Sequence, residues 1–133
     1  MHHHLNSLNR EVSKHYNSYF EPFGLATSYI ELLLLVLEEG SVSQKELSDR
    51  MNLAPSTITR FITKLKKEKY IKKGKKGRLV TIEILPGALN DVKKMKERYQ
   101  QADDDLKKML GDKFVETTNR LLQHGLDELS NKD

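Results

Sequence analysis

The sequence predicts a mainly α-helical chain with one small β-hairpin, in which a central lobe lies between long terminal helices. Three observations carry that reading. Apolar residues recur at three- and four-residue steps over most of the chain, the period of an amphipathic helix. One stretch, Leu79 to Leu85, alternates at two residues instead, with Val80, Ile82 and Ile84 set against Thr81 and Glu83, as a half-buried strand does. Gly and Pro punctuate the joins at Pro22, Gly40, Gly77, Pro86 and Gly111. A chain of 133 residues is long enough for one domain with a real core, and residues 1–133 are expected to form one.

Leu5, Leu8, Val12, Tyr16 and Tyr19 mark one side of a first helix, which ends at the Glu21-Pro22-Phe23-Gly24 break. Thr27 or Ser28 is then placed to cap a second helix, carrying Ile30 and the run Leu32 to Leu37 and stopped by Gly40. Being apolar almost all round, that helix belongs at the centre of the core. Ser43-Gln44-Lys45-Glu46 is a capping box, with Val42 and Leu47 at the staple positions, so a third helix starts there and runs to about Arg50. A tight turn, Met51 to Ala54, leads into a fourth helix that opens on Pro55, where a missing N–H costs nothing. Tyr70-Ile71 begins an extended segment, Gly74 to Gly77 supplies a turn, and Leu79 to Leu85 returns as the second strand. Beyond Pro86, the series Val92, Met95, Tyr99, Ala102, Leu106 and Met109 predicts one long helix up to Gly111. A last helix carries Phe114, Val115, Thr118, Leu121, Leu122, Leu126 and Leu129, followed by a soft tail from Ser130 to Asp133.

Lys and Arg exceed Asp and Glu by 23 to 19, too small an excess to prove a polyanionic partner. Its distribution says more: residues 41–78 hold 12 basic against 3 acidic side chains, net +9, while the rest of the chain is net −5. The absence of cysteine excludes disulfides, thiolate metal sites and thiol-based redox sensing in this chain, and suits a reducing compartment. The longest apolar run, Leu32 to Leu37, is far below the ~20 residues of a membrane span, and no signal-peptide pattern opens the chain. A cytoplasmic protein without membrane contact is expected. His2, His3 and His4 read as the remnant of an expression tag or as a native start, and are left out of the functional reading.

On the fourth helix Ile58, Phe61, Ile62 and Leu65 share one face, so Ser56, Arg60, Thr63 and Lys67 point the other way, flanked by Thr57, Thr59 and Lys64. A basic helix face alone is usually just solvated surface. Here it follows a capped helix and a tight turn and precedes a Lys-rich hairpin, the order of a winged helix-turn-helix, whose second helix enters the major groove while the wing reaches the neighbouring backbone or minor groove. Short hydroxyls and Arg suit base edges, and Lys suits phosphate. Ser56, Thr57, Thr59, Arg60 and Thr63 are therefore candidate readers or phosphate contacts, with Lys64, Lys67, Lys75 and Lys76 as candidate phosphate neutralisers on double-stranded DNA.

Ser43-Gln44-Lys45-Glu46-Leu47-Ser48, the segment Ser56 through Lys66, and Ile71 with Arg78-Leu79-Val80-Thr81-Ile82-Glu83-Ile84 resemble the MarR family of regulators over residues 25–90. The resemblance implies DNA contacts by Thr59, Arg60 and the wing-tip Arg78. It departs at Lys76, where the family's wing carries an Asp that supports the Arg; Lys72, Lys73, Lys75 and Lys76 make this wing more suited to phosphate than to reading sequence. The resemblance also implies a homodimer built from the terminal helices, 5–24 and 87–130, around a winged helix-turn-helix lobe of 25–86. Leu5, Leu8, Val12, Leu121, Leu122, Leu126 and Leu129 are the expected interface, since their apolar stripes lack an obvious internal partner. It further implies a repressor on a pseudo-palindromic operator and a pocket for a small-molecule effector. His15, Tyr16, Tyr19 and Tyr29 lie where such a pocket would form, and serve equally as core or interface aromatics with a satisfied polar tip.

No metal site or cofactor is expected: His15 and His124 are isolated, and Asp103-Asp104-Asp105 reads as a solvated run. Without a Gly-rich phosphate loop, a nucleophile elbow or an HExxH motif, the chain does not read as an enzyme. A winged-helix module for an acidic protein partner and a nonspecific architectural DNA-binding protein are the alternative functions, separable by salt and sequence dependence.

Overall fold

The computed structural model describes residues 1–130; Asn131, Lys132 and Asp133 of the expected tail lie outside the described residues. The chain packs as two compact units, Met1–Tyr99 and Gln100–Asp133.

In the first unit, α1 (His2–Ser18) leads through a 3₁₀ turn at Glu21–Phe23 to α2 (Thr27–Glu39). Gly24 closes the turn at φ 66°, a left-handed conformation that costs glycine nothing. Neither Thr27 nor Ser28 caps α2: the N-cap position is Ala26, which has no side-chain acceptor. Asn17 of α1 supplies it instead, its Oδ1 accepting from the Thr27 N–H at 2.8 Å and from the Thr27 hydroxyl at 2.6 Å. Ile30, Leu32, Leu33 and Val36 of α2 are fully buried at the centre of the core, each worth roughly 1.5–3 kcal/mol of burial.

Beyond Gly40, Val42–Ser43 forms a two-residue strand, β1, ahead of α3 (Gln44–Met51). Ser43 caps α3, its Oγ accepting from the Glu46 N–H at 3.1 Å. The turn into α4 (Pro55–Lys67) is closed by Asn52 in the left-handed region at φ 53°, by the Leu53 N–H donating to the Ser48 carbonyl at 3.1 Å, and by the Ser48 hydroxyl donating to the Leu53 carbonyl at 2.6 Å. Arg50 ties α3 to the end of α2 by donating to Glu39 Oε1 at 2.8 Å.

β2 (Ile71–Lys76) and β3 (Leu79–Ile84) form the hairpin, and β1 adds to the other edge of β3, giving an antiparallel sheet of order β1-β3-β2. The register places Val42 opposite Ile82, Ser43 opposite Thr81, and Lys76 opposite Leu79. The turn is therefore Gly77-Arg78 alone; Gly74 lies inside β2, facing Thr81. Gly77 takes φ 66°, the positive value a two-residue hairpin turn asks of its first central residue. The expected alternation on β3 holds at Ile82 and fails beside it: Val80 is exposed and Thr81 is buried. Thr81 is sandwiched between Ser43 and Gly74 of the flanking strands, whereas Val80 has passed the end of β1, where no core remains to cover it. At the root of the hairpin, burial, aided by Asp91 and Glu68, pushes the Tyr70 phenol above its ordinary value.

A 3₁₀ turn at Pro86–Ala88 opens α5 (Leu89–Leu110), whose Val92 and Met95 complete the core of the first unit. In the second unit α5 continues through buried Ala102 and half-buried Leu106 to exposed Met109. Gly111, at φ 91°, separates it from α6 (Asp112–Ser130), which has no buried residue. Among the described residues no helix is long and apolar enough to cross a membrane.

Because one exposed side chain caps α2, Asn17→Ala is expected to cost about 1 kcal/mol, read as a lower urea midpoint at unchanged slope. An unchanged midpoint would show that water replaces the cap without loss.

Candidate nucleic-acid interface

The orientation of α4 follows from what it buries. Ile58, Ile62 and Leu65 are at most 3% exposed, and Phe61 stacks on Tyr29 of α2 with ring centroids 4.2 Å apart. Lys64 Nζ stands 5.1 Å over the same Tyr29 ring, a cation–π contact that fastens its stem to the helix below. Ser56, Thr59, Arg60, Thr63, Lys64 and Lys67 are consequently all exposed, and Thr57 is half-buried at their edge.

This face carries no acidic residue along α4. The Thr59 hydroxyl donates to the Pro55 carbonyl at 3.0 Å and the Thr63 hydroxyl to the Thr59 carbonyl at 2.9 Å. With their protons turned back into the helix, both oxygens present lone pairs outward, suited to accept from base amino groups. Arg60 donates to Thr57 Oγ1 at 3.4 Å, a weak contact that leaves most of its donor fork outward.

The sheet brings the hairpin to the same side. An open cleft of about 520 Å³ is lined by Gln44 at the start of α3, by Thr59, Ile62, Thr63, Lys66 and Lys67 of α4, and by Lys73 of β2. Gln44, Lys66 and Lys73 are not selected by the outward periodicity of α4; the first and last come from other elements, and only the β1–β3 pairing that docks the hairpin brings them near. Lys75, Lys76 and Arg78 are exposed further out, Arg78 in the tip turn itself. The ion pairs among the described residues join Lys14 to Glu11, Lys45 to Asp49 and Arg50 to Glu39; none neutralises a cation of α4 or the hairpin. What results is a hydroxyl- and arginine-bearing helix face with lysines outside any ion pair on either side, an arrangement whose chemistry suits base edges and phosphates.

The aromatic residues divide differently from expectation. His15 lies 5.3 Å from Tyr16 and 5.1 Å from Tyr19, and Tyr16 lies 5.2 Å from Tyr99, between ring centroids. Tyr99 donates to Glu31 Oε2 at 2.7 Å, and Arg98 donates to the Tyr19 carbonyl at 3.2 Å. Tyr29 pairs with Phe61 and Lys64 instead, so it braces α4 and does not share in these ring contacts. Among the described residues no group of three or more His, Asp or Glu is placed to hold a metal ion.

Residues 30–72, from α2 to the start of β2, match the family model described as winged helix-turn-helix DNA-binding. A MarR variant from E. coli, solved in complex with operator DNA, superposes at a TM-score of 0.80, covering 92% of this chain and 90% of that one at 17% identity. The chain is a winged helix-turn-helix protein of the MarR fold. CouR from Rhodococcus jostii RHA1, solved bound to p-coumaroyl-CoA, superposes on this chain at a TM-score of 0.75, with 90% of this chain and 86% of that one covered at 22% identity. By sequence, the chain is 31% identical over 71 residues to YwoH of Bacillus subtilis (strain 168), a protein named as an uncharacterized HTH-type transcriptional regulator. That stretch is 53% of this chain and spans about half, 52%, of the relative.

Thr59 and Thr63 bond only within their own helix, so Thr59→Ala and Thr63→Ala are expected to leave unfolding free energy within about 0.5 kcal/mol of the parent. Chemical denaturation checks this, and a larger loss would mean that the hydroxyls serve the fold.

Proposed function

We propose that this chain is a sequence-specific DNA-binding transcription regulator of the MarR family, acting as a homodimeric repressor that responds to a small-molecule effector. The observation that carries the proposal is the acid-free outer face of α4, with Thr59, Arg60 and Thr63 outward and unpaired lysines alongside. The E. coli MarR structure on operator DNA supports the same use of the fold. α4 lies in the major groove with Arg60 at base edges, Ser56, Thr57, Thr59 and Thr63 reading or touching phosphate around it, and Lys64 and Lys67 on the backbone. Lys75, Lys76 and Arg78 carry the wing to the flanking groove.

Exposed apolar side chains support the homodimer. Leu121 and Leu129 are 66% and 67% exposed, and Leu122, Leu126, Leu5 and Leu8 are also open to solvent in the single chain. A second copy would cover these faces of 5–24 and 87–130, leaving the lobe 25–86 to DNA. Two-fold symmetry then sets half-sites about one helical turn, ~34 Å, apart. Bound at a promoter, such a dimer occludes it. An effector acts by changing the spacing of the two α4 helices, a response supported by CouR, solved bound to p-coumaroyl-CoA; the ring cluster of His15, Tyr16 and Tyr19 is the proposed wall of its pocket.

Selection from a random duplex library at near-physiological salt is expected to enrich a palindrome, and Arg60→Ala to lose it at a cost of about 1–3 kcal/mol in affinity. A library left unenriched by the parent chain would overturn sequence-specific regulation and favour the interaction module. Sedimentation tests the assembly: the parent should run as a dimer and the double variant Leu122→Lys, Leu126→Lys as a monomer. A parent chain that stays monomeric at micromolar concentration rules the symmetric operator out.

A further inference from the structure

The hairpin ends in apolar side chains that the fold does not use. Leu79 is 56% exposed and Val80 is 41% exposed, although both sit in β3, whose next residues, Thr81 and Ile82, are buried. The register explains the difference in position: β1 pairs with β3 only at Thr81 and Ile82, so Leu79 and Val80 stand on a two-stranded ribbon projecting past the third strand. Threonine would suit such a strand as well without exposing hydrocarbon.

Their surroundings are cationic. Leu79 stands opposite Lys76 and Val80 opposite Lys75, and Arg78 precedes Leu79 in the tip turn; with Lys72 and Lys73 the hairpin carries five exposed cations, none of them in an ion pair among the described residues. Leucine ringed by unpaired cations is complementary to a surface that is anionic at its rim and apolar within. The minor groove of DNA offers that profile once a base step opens: phosphates line its edges, the faces of the two parted base pairs are apolar, and at about 6 Å wide it admits a side chain and not a ribbon.

We infer that Leu79 is a wedge: with Lys76 and Arg78 on the flanking phosphates, it inserts from the minor groove between two base pairs, partly unstacks them and kinks the duplex. This rests on the DNA-binding reading above and adds a mode of recognition to it. The wedge selects for steps that unstack easily, TA or CA/TG, and so gives sequence preference at a position where the wing makes no hydrogen bond to a base.

The test uses the full-length chain and the duplex enriched by selection, with 2-aminopurine placed singly at each base of the flanking minor groove and a dye pair at the duplex ends. The parent is expected to raise 2-aminopurine fluorescence at one step and to bend the duplex by roughly 20° or more. Leu79→Ser should abolish the fluorescence rise, reduce the bend and weaken binding by roughly tenfold, with the salt dependence of binding unchanged because no phosphate contact is removed. Leu79→Met should restore the signal. Since Leu79 lies outside the core, a thermal midpoint shared by the parent and both variants confirms that folding is not what is measured. If Leu79→Ser binds and bends as the parent does, the wedge is overturned while DNA binding stands. If the parent binds no duplex, both readings fall together, and Leu79-dependent binding to anionic phosphatidylserine vesicles in place of duplex would reassign the hairpin to a membrane surface.

Discussion

Burial of Ile58, Ile62 and Leu65 fixes the rotation of α4 about its own axis, and most of what the chain presents to solvent follows from that rotation. Successive helical residues are 100° apart, so turning α4 by a single position would draw at least part of this apolar edge out of the core, at roughly 1.5–3 kcal/mol for each side chain exposed. The polar face is thus held by the hydrocarbon behind it. Tyr29, stacked on Phe61 and lying under Lys64, adds a contact at the edge of this seam, where the core gives way to solvent.

The sheet does for the hairpin what the core does for α4. Two residues of β1, pairing only with Thr81 and Ile82, divide β3 into a buried root and a free tip. The root is apolar or sterically tight: Ile71 and Ile82 are buried, and a side chain at Gly74 would meet the Glu83 carboxylate and Thr81 Oγ1. The tip, beyond the third strand, holds Lys75, Lys76, Arg78 and the exposed Leu79, while Lys72 and Lys73 are exposed along the root. One short pairing therefore decides which part of the hairpin joins the core and which part stands free of it.

Features governed by neighbours along the chain were legible in the sequence. The Ser43 cap, Pro55 at the start of α4, the outward set from Ser56 to Lys67, and the breaks at Gly40 and Gly111 all follow from local rules of capping, period and backbone freedom, and each is found in the structure. What was not legible depends on distant residues. A strand of two residues has no period to detect, so β1 was invisible, and with it the burial of Thr81 and the exposure of Val80. Helix α2 takes its cap from Asn17, ten residues upstream, where a pattern read at Thr27 and Ser28 cannot look. Tyr29 shares its chemistry with His15, Tyr16 and Tyr19, yet its ring partner is thirty-two positions later in sequence. The cleft joining Gln44, Lys66 and Lys73 likewise exists only after the hairpin has docked.

The Asn17 cap has a mechanical side. Two short hydrogen bonds, at 2.8 and 2.6 Å, rivet the last turn of α1 to the first residue of α2. Two residues further along, Tyr29 rests on Phe61 of α4. The end of α1 is therefore joined to α4 by one side-chain amide, half a helical turn and one ring stack, a path that bypasses the Glu21–Phe23 turn. A helix that in sequence looks like a remote appendage is, in the folded chain, the handle of a short lever whose other end is the helix bearing Arg60.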